Sequence, residues 1–231
     1  MADRCLLYYI TDRTALGADE PTRRRRLLEK TSEAALAGVD YIQLRERDMT
    51  TRELESLAHE AMRAIREASP LTPDHWPLTT ALLINSRTDV ALATGAAGVH
   101  LRSDDLSPHE VRAIWEQCGA GAPARVSPRA PLIGVSCHSP EEVTKAAANG
   151  ATFAVFAPVF EKDNVPNAQP AGLTQLGQAC RVKIPVLALG GVSLENAQSC
   201  LQAGAAGIAA IRLFQDSNIA DTVATLRRIP L

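Results

Sequence analysis

GAAGVHLR, residues 95–102, holds the pattern that decides the fold. Glycine takes the left-handed backbone that closes a helix, so Gly95 predicts a helix end. An apolar run then predicts a strand within a few residues. The same grammar returns in GVDYIQLR (38–45), GATFAVFA (150–157) and GAAGIAAIR (204–212). Such echoes can follow from a repeated strand–helix architecture alone, so they speak to fold rather than to function.

Working outward, short apolar runs recur at 6–10, 41–44, 81–84, 98–101, 132–135, 153–156, 186–189 and 208–211. Each has strand length and is rich in Val, Ile, Leu or aromatics. Helical patterns lie between them, at 23–37, 51–68, 88–94, from 107, from 139, 173–180, from 193, and near 219–228. Ser107 with Glu110 and Ser139 with Glu142 have capping-box spacing, which marks helix starts. Strands that alternate with helices predict parallel pairing through crossover helices. Near-continuous apolarity in the strands fits a sheet covered on both faces. Eight such units in 231 residues predict a single α/β domain over 1–231, a (β/α)8 TIM barrel. An open doubly wound sheet is the alternative, weakened because no G-x-G-x-x-G follows the first strand.

Composition removes several function classes. The chain is 46% hydrophobic and 22% charged, with a net charge of −2. That balance gives no electrostatic reason to expect nucleic acid or an anionic membrane as partner. No apolar run is long enough for a transmembrane helix. MADRCLLYYITDR leads straight into a strand-like segment, without a signal peptide's apolar region. The expected location is cytoplasmic. Cys5, Cys118, Cys137, Cys180 and Cys200 lack CxxC spacing and read as free thiols. No His/Cys cluster has zinc spacing. Two Pro-rich connections, 69–80 and 118–131, run from a helix to the next strand. They belong to the face of a barrel that serves stability rather than catalysis.

A barrel's chemistry sits at the C-terminal ends of its strands. Polar residues collect there: Thr11 and Asp12; Gln43, Arg45 and Arg47; Asn85, Ser86 and Arg87; His100, Arg102, Asp104 and Asp105; Ser136, Cys137 and His138; Arg212. In QLRER, period two puts Gln43, Arg45 and Arg47 on one face, with Leu44 and Glu46 on the other. Two guanidiniums in the mouth would suit an anion; a structural Arg–carboxylate network is the alternative. In LALGGVS, Gly190 and Gly191 precede a Ser-capped helix pattern. With Ile211 and Arg212 they form a candidate phosphate pocket, or else a tight turn that needs glycine. His138 is a candidate proton carrier, or a capping histidine. A Ser136–His138 nucleophilic pair is disfavoured, because no elbow motif or orienting acid accompanies it. His100 is expected to face inward as a hydrogen-bonded core group.

YYITDR, YIQLRERD, INSRTDVAL, GVHLRSDDL, IGVSCHSPEE, APVFEKD and PVLALGGVSLENAQSCLQAGAAGIAAI follow one another in the order of a known family. Over nearly the whole chain the sequence resembles the thiamine phosphate synthase/TenI superfamily, whose fold is a TIM barrel. The resemblance implies a thiamine-biosynthetic enzyme that binds a phosphorylated thiazole, with a homo-oligomer compatible with the family. In the synthase branch, hydroxymethylpyrimidine diphosphate is joined to the thiazole phosphate with Mg²⁺, and diphosphate leaves. It implies that Arg45, Arg47 and Asn85 meet the diphosphate, that Asp105 holds Mg²⁺, and that Ser136 lies beside the reacting groups. Gly190, Gly191, Ile211 and Arg212 match the thiazole-phosphate pocket.

Three departures bear on the reaction. Ser86 stands where the synthase pattern has a metal-binding aspartate, and serine is a poor substitute for a carboxylate toward Mg²⁺. Arg102 replaces a glycine. Glu161-Lys162-Asp163-Asn164 replaces a Thr-x-Thr-Lys loop, with Lys162 left as a substrate-binding candidate. The TenI branch aromatises a carboxythiazole phosphate by proton transfer and needs no metal. It uses a Ser-x-His motif, which Ser136-Cys137-His138 matches; RER and VFE also look TenI-like, although Pro158 stands where TenI proteins can carry a histidine. These features favour a TenI-type tautomerase with His138 and Ser136 as catalytic residues. A thiamine phosphate synthase and a non-catalytic paralogue that binds thiazole or thiamine phosphate are the alternatives.

Overall fold

The computed structural model describes residues 4–68, 80–119, 130–161 and 169–230. Most of the two Pro-rich connections, and the candidate Lys162, lie outside these residues. Eight strands are present: β1 (Leu6–Ile10), β2 (Tyr41–Leu44), β3 (Ala81–Asn85), β4 (Gly98–Leu101), β5 (Leu132–Cys137), β6 (Phe153–Phe156), β7 (Val186–Ala188) and β8 (Gly207–Ala210). Each pairs in parallel with the next, and β8 pairs with β1, so the sheet closes into a barrel. The helices are α1 (Glu20–Ala37), α2 (Thr51–Ala68), α3 (Thr88–Thr94), α4 (Pro108–Gly119), α5 (Pro140–Ala148), α6 (Gly172–Ala179), α7 (Ala197–Gln202), α8 (Arg212–Gln215) and α9 (Ile219–Arg227). This is the expected (β/α)8 barrel, with the short α8 inserted after β8.

The GAAG echo has two physical causes. Gly95 and Gly204 are left-handed, with φ of 72° and 102°. The Gly95 N–H returns to the carbonyls of Ala91 and Leu92 and closes α3. The second glycine of each echo answers a different need. A Cβ on Gly98 would lie 1.8 Å from the Leu132 carbonyl oxygen, and one on Gly207 would lie 2.0 Å from that of Leu6. Both glycines open a strand that presses against the backbone of its neighbour.

Some boundaries differ from those expected. β3 extends to Asn85 and β5 to Cys137, because the neighbouring strands hold the polar ends in register: Asn85 opposite His100, Ser136 opposite Val155, Cys137 opposite Phe156. The helix expected from 193 begins at Ala197. Asn196 Oδ1 accepts from the Ser193 N–H (2.8 Å), so Ser193 opens a turn rather than capping a helix.

Side chains alternate between two apolar layers. Leu7, Tyr9, Ile42, Leu44 and Ile84 pack outward under the helices. Tyr8, Ile10, Leu83, Phe153, Val155, Leu187 and Ala209 fill the barrel. Phe153 stacks on Tyr41 at 5.1 Å and meets Tyr8 edge-on at 5.5 Å. This aromatic floor closes the barrel below the mouth. All five cysteines are free, and Cys5, Cys137 and Cys200 are buried. Among the described residues no helix is long and apolar enough to cross a membrane.

Candidate active site

At the β1–β2 rim three arginines have different surroundings. Glu46 is buried and turned away from the mouth. Its carboxylate accepts from Thr11 Oγ1 (2.5 Å) and from the Arg13 backbone N–H (3.2 Å) and guanidinium (3.3 Å). Arg13 also donates to both oxygens of Asp48 (2.6 and 3.0 Å) and to Glu20 (2.9 Å). Burial pushes the Glu46 carboxyl up, against the pull of Thr11 and Arg13. Thr11 Oγ1 further accepts from the Arg45 N–H (3.0 Å). The clamp anchors QLRER by its outward residue, with Arg45 half-buried before it and Arg47 exposed after it. Among the described residues neither of those guanidiniums has a hydrogen-bonded or ion-paired partner. Arg45 is half-buried, and burial, with the Arg47 charge next in weight, lowers its affinity for a proton. The Arg–carboxylate network therefore belongs to Arg13, and Arg45 and Arg47 stand outside it.

At the β2–β4 rim a chain of polar contacts runs sideways. Gln43 Nε2 donates to Asn85 Oδ1 (2.7 Å), Asn85 Nδ2 to Ser86 Oγ (3.2 Å), and Ser86 Oγ to Asp105 Oδ2 (2.6 Å). Ser86 has φ 59°, a left-handed backbone outside glycine. Its N–H bond to the His100 carbonyl (2.9 Å) and its hydroxyl bond to Asp105 hold it there. Beside it opens a cleft of about 260 Å³ lined in part by Arg47, Asn85, Ser86, Arg87 and Arg102.

Side chains of the described residues do not by themselves complete a Mg²⁺ site here. That ion takes octahedral oxygen ligands, usually one or two carboxylates with substrate phosphates. The described residues hold no cluster of three His, Cys, Asp or Glu side chains suited to a metal. Asp105 Oδ2 already accepts from Ser86 and from the Arg102 N–H (2.7 Å), and Oδ1 faces the Arg102 guanidinium at 3.4 Å. Asp104 is exposed and leans on the same guanidinium at 3.3 Å. The carboxylate assigned to a metal is thus hydrogen-bonded, and its charge is met by an arginine.

Ser136 and His138 take different partners. Ser136 Oγ lies 2.8 Å from His100 Nε2, and His100 Nδ1 lies 3.1 Å from Tyr8 Oη. His138, exposed just past β5, donates from Nδ1 to the Ala157 carbonyl (2.6 Å). That bond leaves Nε2 bare in the neutral ring. Glu142 accepts from the His138 N–H (2.7 Å), while Ser139 Oγ accepts from the Glu142 N–H (3.3 Å). The capping box is therefore displaced by one residue and anchors His138. The box at Ser107 and Glu110 is reciprocal, at 2.8 and 3.3 Å.

On the far side of the mouth, Gly190 and Gly191 have φ of 94° and 65°. A Cβ on Gly191 would lie 2.4 Å from the Glu161 carbonyl oxygen. The close approach that requires glycine is to the loop after β6. Ile211 packs on the barrel interior and Arg212, exposed, opens α8.

Tyr8 is absent from the candidates drawn from the sequence. Its signal is the alternation Leu6, Tyr8, Ile10, which turns a buried hydroxyl toward the mouth, where it needs a partner. His100 is the inward core group expected, and burial pushes its pKa down to about 4. An unfolded histidine binds a proton below about 6.5, so the unfolded chain holds the extra proton between that pH and about 4. Stability should thus be complete above pH 6.5 and fall by up to roughly 3 kcal/mol as pH drops to 4. Urea midpoints measured against pH should lose this share of the acid slope in His100→Asn.

With this geometry in hand, known proteins supply the family. The profile of a family described as "Thiamine monophosphate synthase" matches residues 7–214. The chain belongs to that family. A "Putative thiamine-phosphate synthase 2" of Aquifex aeolicus is 38% identical over 209 residues, which cover 90% of this chain and 96% of that protein. A "Thiamine-phosphate synthase" of Roseiflexus castenholzii is 37% identical, covering 90% and 80%. The solved thiamine phosphate pyrophosphorylase of Pyrococcus furiosus superposes with a TM-score of 0.74 at 30% identity, covering 97% of this chain and 94% of that one. This thiamine monophosphate synthase family member is thus a thiamine-biosynthetic enzyme. The relatives' names favour the transferase over the TenI-type isomerase preferred on the sequence motifs.

Proposed function

We propose that the chain couples a hydroxymethylpyrimidine diphosphate to a thiazole phosphate, giving thiamine phosphate and free diphosphate. One observation supports this reading: Arg45 and Arg47, just past β2, have no hydrogen-bonded or ion-paired carboxylate among the described residues. Two adjacent guanidiniums repel each other, and their placement is favourable once a polyanion lies between them. Charge grows on the diphosphate as it leaves, so fixed cations there stabilise the transition state more than the bound substrate. Asn85, held by Gln43, would orient the same group. Lys162 is assigned to that anion through the family resemblance. Gly190, Gly191, Ile211 and Arg212 are assigned through it to the thiazole phosphate, bound mainly by backbone N–H groups. The small phosphorylated substrates suit a cytoplasmic enzyme.

The TenI-type tautomerisation is the second reading, favoured by His138. Its Nδ1 bond to Ala157 leaves Nε2 as an acceptor for a substrate proton. Ser136 would sit alongside, and no metal would be required.

Incubating the protein with both coupling substrates, and separately with the non-aromatic carboxythiazole phosphate, with and without Mg²⁺, tests the assignment by mass spectrometry. Thiamine phosphate and diphosphate are the expected products. Aromatisation alone, abolished in His138→Ala, would replace this reading with the second. Calorimetric binding without turnover in any arm would sink both.

A further inference from the structure

We propose that Tyr8 and His100 form a buried relay that fixes the Ser136 hydroxyl as a hydrogen-bond donor to the ligand. The inference relies on the proposed function only in that a ligand occupies this mouth. Tyr8 and His100 are both buried inside the barrel, and Ser136 stands at its upper edge. The three groups form an unbranched line, Tyr8 Oη to His100 Nδ1 at 3.1 Å and His100 Nε2 to Ser136 Oγ at 2.8 Å.

Proton accounting gives the line a direction. A neutral imidazole has one N–H and one bare nitrogen. If Nδ1 held the proton, it would donate to Tyr8, and the buried Tyr8 hydroxyl proton would have no acceptor among the described residues. Ser136 would then donate inward to Nε2 and turn its lone pairs to the ligand. If Nε2 holds the proton, Tyr8 donates to Nδ1 and His100 donates to Ser136. Every buried group is then satisfied, and the Ser136 proton points into the mouth. Buried orphan donors are rare because they lose their hydration without recompense, so the second arrangement is selected.

The surroundings keep the ring in place and neutral. Phe153 flanks it at 6.4 Å, and a Cβ on Gly134 would lie 2.9 Å from Nδ1, so glycine is needed there. Beyond the relay, the charges that act on it are Asp105 and Arg45, which pull in opposite directions, and burial outweighs both. The relay therefore keeps its direction throughout the neutral range. A serine so oriented recognises an acceptor, such as an anionic phosphate oxygen, and disfavours a donor at the same spot. Tyr8 and His100 are positioning residues, since neither reaches the ligand.

NMR of the protein with ¹⁵N-labelled histidine tests the tautomer without substrate. His100 should show a proton on Nε2 and a bare Nδ1 from pH 5 to 8, and a protonated Nδ1 would overturn the proposal. The ligand half is tested with inorganic diphosphate as probe. Ser136→Ala and Tyr8→Phe should each weaken its binding about tenfold, as for one hydrogen bond to a charged group. The double variant should lose little more than either alone, because both act through one bond. Additive losses, or no loss in Ser136→Ala, would refute donation to the ligand. The tautomer is readable whichever reaction the enzyme performs, so failure of the proposed function would show separately in the product assay.

Discussion

Replacing Arg45 by glutamine should make the enzyme at least about thirtyfold slower while making the free protein more stable. The two effects share one cause. Arg45 is half-buried, near the Arg47 charge, with no ion pair of its own among the described residues. Removing a desolvated cation from a bound anion costs about 2–5 kcal/mol, which is roughly 30- to several thousand-fold in kcat/KM. In the free protein the same cation is an unpaid desolvation, so its loss should add up to about 1 kcal/mol of stability. Arg47→Gln should act in the same sense but more weakly, because Arg47 is exposed. Steady-state kinetics and urea melts of the ligand-free protein read the two halves. A variant that loses both activity and stability would place Arg45 in a structural network instead.

Gly98→Ala should leave little folded protein, although it adds a single methyl group. That methyl would stand 1.8 Å from the Leu132 carbonyl oxygen and 2.7 Å from the Leu132 carbonyl carbon. The obstacle is backbone, in the strand hydrogen-bonded to β4, so relief means parting β4 from β5. Overpacking a core commonly costs about 1–3 kcal/mol through flexible side chains, and a backbone clash in a closed barrel should exceed about 4 kcal/mol. Natural domains hold about 5–15 kcal/mol in all, so the variant should be mostly unfolded or insoluble. Gly95→Ala is the control from the same motif. Nothing lies within 4 Å of its Cβ, and its φ of 72° should cost about 1–2 kcal/mol. Thermal melts followed by circular dichroism would rank the two; equal losses would mean that helix closure, not strand contact, explains the echo.

These two glycines show how far local pattern reaches. That Gly95 ends a helix is written in its neighbours, because a helix cap is satisfied within five residues. That Gly98 must also lack a side chain depends on Leu132, more than thirty positions away. The strand ends were legible too, since polar residues after an apolar run have few other places to go in a barrel. The turn after Gly191 lay beyond local pattern, because Asn196 rather than Ser193 supplies the side-chain oxygen there.

What the sequence determined by itself was the alternation of strands and helices, the barrel and the ring of polar residues at its mouth. Each follows from periodicity and local capping, which need no distant partner. The tertiary structure alone decided which arginine is neutralised, that Ser86 donates to Asp105, and that Tyr8, His100 and Ser136 form one line. Hydrogen bonds and ion pairs depend on ångström-scale meetings between side chains from different strands. Those meetings exist once the barrel has closed, and no spacing along the chain encodes them.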